Sequence, residues 1–97
     1  MMNVKRVELV IEAVERPTVI DTLKSVEIHD YTIYKHVGGN GQRGEKGDLA
    51  FGEKFENVTF VIACSENQLY ALVGAIRPLL KSFGGMCLVS DAQWVMH

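Results

Sequence analysis

The stretch YTIYKHV–GGNGQRGEKGDLAFGEKFEN–VTFVIAC, residues 31–64, decides the fold. Tyr31 to Val37 is rich in β-formers (Tyr31, Thr32, Ile33, Tyr34) and closes on Gly38-Gly39, so it predicts a strand. Val58 to Cys64 predicts the next, with Phe60 and Ile62 flanked by Thr59 and Val61. Between them, Gly38 to Asn57 holds six of the nine glycines and cannot belong to a core. A structureless loop of that length is rare inside a compact domain and is usually functional where it occurs. Dense glycine also lets backbone N–H groups turn toward a bound anion, since no Cβ blocks positive φ or close approach. Arg43 is the obvious anion partner inside it.

Working outward, Val4 to Val14 predicts a strand in which Val7, Leu9, Ile11 and Ala13 alternate with Arg6, Glu8, Val10 and Glu12. One face is apolar and the other charged, as for a sheet covered on one side. Pro17 suits the first turn of a helix, where its missing N–H costs nothing. Val19, Ile20, Leu23 and Val26 give that short helix its apolar stripe, which ends near Glu27. On the other flank, Ser65-Glu66-Asn67-Gln68 is a capping-box signature. The helix behind it carries Leu69, Leu72, Val73, Ile76, Leu79, Leu80 and Phe83 at three- and four-residue spacings. Pro78 removes one intrahelical bond, so a kink or a last turn of different geometry is expected. Gly84-Gly85 ends the helix; Met86 to Val89 reads as a further strand, and Ala92 to Met96 as a short additional one. The order is strand, helix, strand, strand, helix, strand. It implies an α+β, ferredoxin-like βαββαβ sandwich: one domain over 1–97, an antiparallel sheet with both helices on one face, and a flexible loop at about 38–57.

Composition narrows the function classes. The chain is 47% hydrophobic and 23% charged, ordinary for a globular domain, and its net charge of −2 argues against nucleic acid as a partner. No apolar run reaches the roughly 18 residues a membrane span needs, and the N-terminus lacks an apolar signal region, so a cytoplasmic location is expected. Cys64 and Cys87 lie in apolar runs and read as small buried hydrophobes, not a redox or metal pair. His29, His36 and His97 show no spacing that converges ligands, so no metal site is expected from one chain, although an oligomer could bring copies of one histidine together. No Ser-His-Asp or Cys-His grouping can be argued, and no catalytic residue is assigned.

Three segments carry chemistry that the core does not absorb. Gly38-Gly39-Asn40-Gly41-Gln42-Arg43 reads either as a phosphate cradle, with N–H donors and a permanently charged guanidinium fork, or as a hairpin connection with a solvated arginine. It is neither a Walker nor a Rossmann motif, because no Gly-Lys-Ser/Thr follows and no helix opens after it. Phe83-Gly84-Gly85-Met86 reads as a ligand approach or simply as a helix C-terminus with a tight turn. The apolar triplet Leu49-Ala50-Phe51 at the loop tip is either a partner contact or a segment folded back on the domain.

The element order, the loop position and the passage from Tyr31-Thr32-Ile33 to Gly41-Gln42-Arg43 resemble the PII-like signalling proteins. The closing stretch Arg77-Pro78-Leu79-Leu80-Lys81-Ser82-Phe83-Gly84-Gly85-Met86-Cys87-Leu88-Val89-Ser90-Asp91-Ala92 is similar to the short PII-like proteins associated with carboxysomes and bicarbonate transport. That resemblance implies a non-enzymatic homotrimer with its sheets facing the centre and adenine nucleotides in the clefts between subunits. It places Gly38, Gly39, Gly41, Gln42 and Arg43 at the base of the family's T-loop, around the phosphates. Gly84, Gly85 and Met86 fall in its B-loop, and Thr32 near the adenine of the adjacent subunit's site. Nitrogen-signalling members have a lysine just after the B-loop glycines and arginines near the C-terminus. Here Met86 and the tail Gln93-Trp94-Val95-Met96-His97 supply no such cation, so ADP or AMP is expected over ATP. Leu49, Ala50 and Phe51 carry no phenolic hydroxyl for uridylylation. Bicarbonate as a co-ligand and an inorganic-carbon transporter as the loop's partner are implied by the subgroup alone. A CutA-like metal-binding trimer, which shares the chain order, is the alternative.

Overall fold

β1 (Met2–Glu12) buries every second side chain from Val7 to Ile11. Val7, Leu9 and Ile11 are at most 4% exposed, while the alternate residues face the other way. The computed structural model describes residues 1–37, 39–41, 44–46 and 56–97. β1 stops two residues before the expected Val14, and Ala13–Glu15 form a 3-10 turn that leads into α1 (Arg16–Ser25). Pro17, in the first turn of α1, suits the entry into the helix, while the Ala13 N–H still donates to the Glu56 carbonyl at 2.7 Å, one step beyond the Glu12–Asn57 pair in the same register.

α1 buries Val19 and Leu23 and closes with a Schellman arrangement. The Ile28 N–H donates to the Leu23 carbonyl at 2.9 Å, and the Glu27 N–H to the Lys24 carbonyl at 3.0 Å. Ile28 is buried beside Leu23 in the core, which is the hydrophobic contact that usually accompanies this motif. Glu27 itself takes φ 60°, a left-handed conformation that glycine adopts without steric cost. Glu27→Gly is therefore expected to raise stability by up to about 1 kcal/mol in a chemical denaturation series, the penalty a Cβ carries in that conformation.

β2 (Thr32–Val37) and β5 (Asn57–Cys64) match the expected strands to within a residue. Contrary to the expectation of a structureless connection, short strands β3 (Gly39–Gly41) and β4 (Gly44–Lys46) pair antiparallel between them, Gly39 opposite Lys46 and Gly41 opposite Gly44. α2 (Glu66–Phe83) starts with the anticipated capping box: the Gln68 N–H donates to Ser65 Oγ at 3.1 Å, and the Ser65 N–H to Gln68 Oε1 at 2.9 Å. The helix runs through Pro78 as an α-helix to Phe83. Gly74, four residues before the proline whose ring crowds that turn, has nothing within 4 Å of its missing Cβ.

The last strand differs from expectation. β6 is one element, Met86–Trp94, where two short strands were anticipated. It pairs with β1 without a break, from Val10 opposite Met86 to Met2 opposite Trp94. The polar Ser90-Asp91 step does not interrupt it, because Lys5 lies opposite Asp91 and its Nζ donates to the carboxylate at 2.5 Å.

The four long strands form an antiparallel sheet in the order β2-β5-β1-β6. Its covered face pairs Val7 with Ile62, Leu9 with Phe60 and Ile11 with Val58. These residues join Val19 and Leu23 of α1 and Leu72 and Ile76 of α2 in one core, so both helices lie on that face. Phe60 is fully buried, with its ring centroid 5.5 Å from that of Tyr31. Burying a side chain of that size contributes about 1.5–3 kcal/mol. This is the expected ferredoxin-like α+β sandwich.

Candidate functional site

Strand direction gathers the glycine-bearing turns at one end of the sheet. Val37 and Asn57, which bracket the glycine-rich segment, pair with each other. Asn57 in turn lies opposite Glu12, at the end of β1. The turn after α2 arrives at the same end, since Met86 lies opposite Val10. The bond from Ala13 to Glu56 ties the far side of the segment to the end of β1.

Gly84 and Gly85 are demanded by the backbone before any ligand is considered. Gly84 has φ 77° and ψ −166°, a region open essentially to glycine alone, and its N–H closes α2 on the Leu80 carbonyl at 2.8 Å. Gly85 has φ 109°, and a Cβ there would stand 2.4 Å from the Val10 carbonyl oxygen. The helix-terminus reading of this turn is thus sufficient to require both glycines. Gly85 is nonetheless exposed, so a ligand can also reach the turn. Met86 follows as the first residue of β6, is 43% exposed, and shares a sheet face with Val10.

Thr32 is exposed on β2, opposite Val61, on the face the helices leave open. β2 and β6 are the two edges of the sheet. Three strand spacings separate them, roughly 14 Å at 4.7–4.9 Å each. Thr32 and the Gly84–Met86 turn of one chain are therefore too far apart to grip the same group. Gly39 and Gly41 lie in the β3–β4 pair. Gly38, Gln42, Arg43, Leu49, Ala50 and Phe51 lie outside the described residues.

The remaining reactive side chains offer little chemistry. Burial pushes both thiols up from their ordinary pKa, so neither Cys64 nor Cys87 is a ready nucleophile. They sit on β5 and β6, on opposite sides of β1, opposite Lys5 and Leu9 respectively, and both are free. Among the described residues no group of three or more His, Cys, Asp or Glu side chains could hold a metal. No helix among them is long and apolar enough to cross a membrane. An open groove of about 490 Å³ lies at the other end of the sheet, bounded by Asn3, Lys5, Glu66, Asp91 and Gln93. Its lysine is already engaged: the hydrogen bond to Asp91 raises the Lys5 pKa.

Residues 4–96 match the family described as nitrogen regulatory protein P-II. A comparison with curated protein sequences finds no match. Among solved structures, the nitrogen regulatory PII-like protein CPII from Thiomonas intermedia K12, bound to ADP, AMP and bicarbonate, is 25% identical with a TM-score of 0.86, over 95% of this chain and 88% of that one. The same protein bound to ADP and bicarbonate gives 21% identity and a TM-score of 0.84, again over 95% and 88%. Its apo form gives 22% and 0.77, over 95% and 91%. These matches do not favour the CutA-like alternative.

Proposed function

Because the chain belongs to the nitrogen regulatory protein P-II family, we propose that it is a non-enzymatic regulator that binds an adenine nucleotide in clefts between the subunits of a homotrimer. The observation that carries this reading is the likeness, over 95% of the chain, to a PII-like protein bound to ADP, AMP and bicarbonate. The separation of Thr32 from Gly84–Met86 on opposite sheet edges supports a cleft completed by a second chain. In it, main-chain groups at Gly38, Gly39, Gly41, Gly84 and Gly85, with Gln42 and Arg43, surround the phosphates, and the neighbouring chain's Thr32 lies near the base.

Exposed Met86 offers no charge to an outer phosphate, so ADP and AMP are favoured over ATP. Bicarbonate binds as the co-ligand. Nucleotide and bicarbonate together order the loop, and Leu49, Ala50 and Phe51 then meet a partner. An inorganic-carbon transporter is the partner of choice, with the protein acting in the cytoplasm and in association with carboxysomes. Ligand identity shifts loop populations only through differential affinity for the ordered form.

Calorimetry with AMP, ADP and ATP tests the reading directly. ADP and AMP should bind in the micromolar range. Arg43→Ala should weaken them by about tenfold or more, the loss of one charge-assisted contact. Equal binding by that variant removes Arg43 from the site. A thermal-shift panel of the same nucleotides, with and without bicarbonate, should raise the melting temperature for true ligands by mass action. No shift with any adenylate removes the function itself.

A further inference from the structure

The helix-covered face of the sheet turns polar at its far end. Beyond buried Val7, the positions on β1 that continue its alternation are Lys5 and Asn3, and the register sets Asp91 and Gln93 opposite them. Both cross-strand pairs are joined. Lys5 Nζ donates to Asp91 Oδ1 at 2.5 Å, and Gln93 Nε2 donates to Asn3 Oδ1 at 3.4 Å. The first turn of α2 adds Glu66, whose Oε1 accepts from the Tyr70 hydroxyl at 3.4 Å. These groups line the groove of about 490 Å³, a size within the roughly 300–1,000 Å³ of small-molecule sites. It lies on the opposite face from Thr32 and at the opposite end from Gly84–Met86, so it belongs to neither half of the candidate cleft.

We propose that this groove binds a small zwitterion of the α-amino-acid class, whose carboxylate meets Lys5 and the carboxamides of Asn3 and Gln93 while its ammonium meets Asp91 and Glu66. The donor set selects that class. One cation stands among two carboxylates, beside two carboxamides that each donate and accept. A simple anion would meet the surplus negative charge, and a simple cation would meet the Lys5 ammonium. A ligand carrying both signs a few bonds apart answers each with its opposite. Lys5 keeps its charge for this role, since the hydrogen bond and charge of Asp91, with a smaller contribution from Glu66, raise its pKa. The Asp91 side chain is 84% exposed, so a ligand reaches its carboxylate without unpacking the fold. The surplus carboxylate also ranks amino acids among themselves: a cationic side chain gains from it and an acidic one is repelled. Polyphosphates are disfavoured for the same reason, which keeps this groove and the nucleotide cleft to different ligands.

Chemical-shift titration of the ¹⁵N-labelled full chain with L-arginine, N-acetyl-L-arginine and L-glutamate tests this. L-arginine should saturably shift the backbone amides of Lys5 and Asp91 and the side-chain amides of Asn3 and Gln93. N-acetyl-L-arginine, which lacks the α-ammonium, and L-glutamate, which adds a carboxylate, should each bind roughly tenfold or more weakly, the loss of one charge-assisted contact. Lys5→Met and Asp91→Asn should each weaken L-arginine by a similar factor. Both proteins should melt as wild type does, since a solvent-exposed ion pair contributes little to stability. ADP should leave the titration unchanged. No saturable shift at these groups with millimolar L-arginine overturns the proposal, as does equal affinity for all three probes or equal L-arginine binding by both variants. Displacement of L-arginine by ADP overturns it as well, because the groove would then be part of the nucleotide cleft.

Discussion

Gly85→Ala is expected to cost about 2–5 kcal/mol, combining strain at a positive φ with overpacking in a well-filled site. Both contributions come from the backbone. The residue has φ 109°, and its new Cβ would stand 2.4 Å from the Val10 carbonyl oxygen, 3.4 Å from Ile11 Cγ2 and 3.4 Å from Leu80 Cδ2. The oxygen belongs to β1, which is ladder-bonded on both sides in mid-sheet, so it cannot move aside cheaply. For a domain of this size the melting temperature should fall by roughly 8–40 °C, at 4–8 °C per kcal/mol. Gly74 provides the contrast. Nothing lies within 4 Å of its missing Cβ, so an alanine there meets only the favourable change in helix propensity, about 1 kcal/mol. A Gly85→Ala protein that melts like wild type would mean that the turn relaxes freely, and the close approach to Val10 would lose its structural meaning. Nucleotide affinity measured well below the lowered melting temperature then separates fold from ligand. Affinity retained by folded Gly85→Ala would assign the glycine to the fold alone.

How much of this was legible in the sequence depended on burial. β1, β5 and α2 announced themselves because each has one covered face, and covered faces force alternation at period two or at helical spacing. Ser65 and Gln68 marked the start of α2 through local hydrogen bonds that need no tertiary context. β6 was harder to read. It is an edge strand whose residues are mostly exposed on both sides, so no alternation distinguishes Ser90-Asp91 from a loop, and its continuity comes from pairing with a distant β1. The β3–β4 pair escaped notice for a related reason, since glycines carry no side-chain pattern. The character of the open face also stayed hidden. Arg6, Glu8 and Glu12 made that side of β1 look solvated, and only the register with β6 brought Met86 and Leu88 beside them. In the candidate site the glycines and Thr32 could be singled out, but their division between two sheet edges is a property of strand order.

Met86→Lys is expected to invert the proposed preference for ADP and AMP over ATP. The side chain at this position follows the Gly84-Gly85 turn directly and is 43% exposed, so a lysine can be accommodated without burying its ammonium. Thioether and ammonium differ in the one respect that matters for a polyphosphate, which is charge. A hydrogen bond between ionised partners is worth about 1.5–3 kcal/mol, or roughly a 10- to 150-fold gain for the nucleotide whose phosphate it reaches. AMP, with its single phosphate nearest the base, should gain least and ATP most, with ADP between them. The gain should also shrink as salt is raised, because the new contact lies at a partly solvated turn where ions screen it. Calorimetry of the three nucleotides at low and moderate ionic strength reads both effects on the same protein. If the ATP-to-AMP affinity ratio is the same before and after the change, residue 86 does not face the phosphates. The proposed preference for ADP and AMP would then lose its support from residue 86.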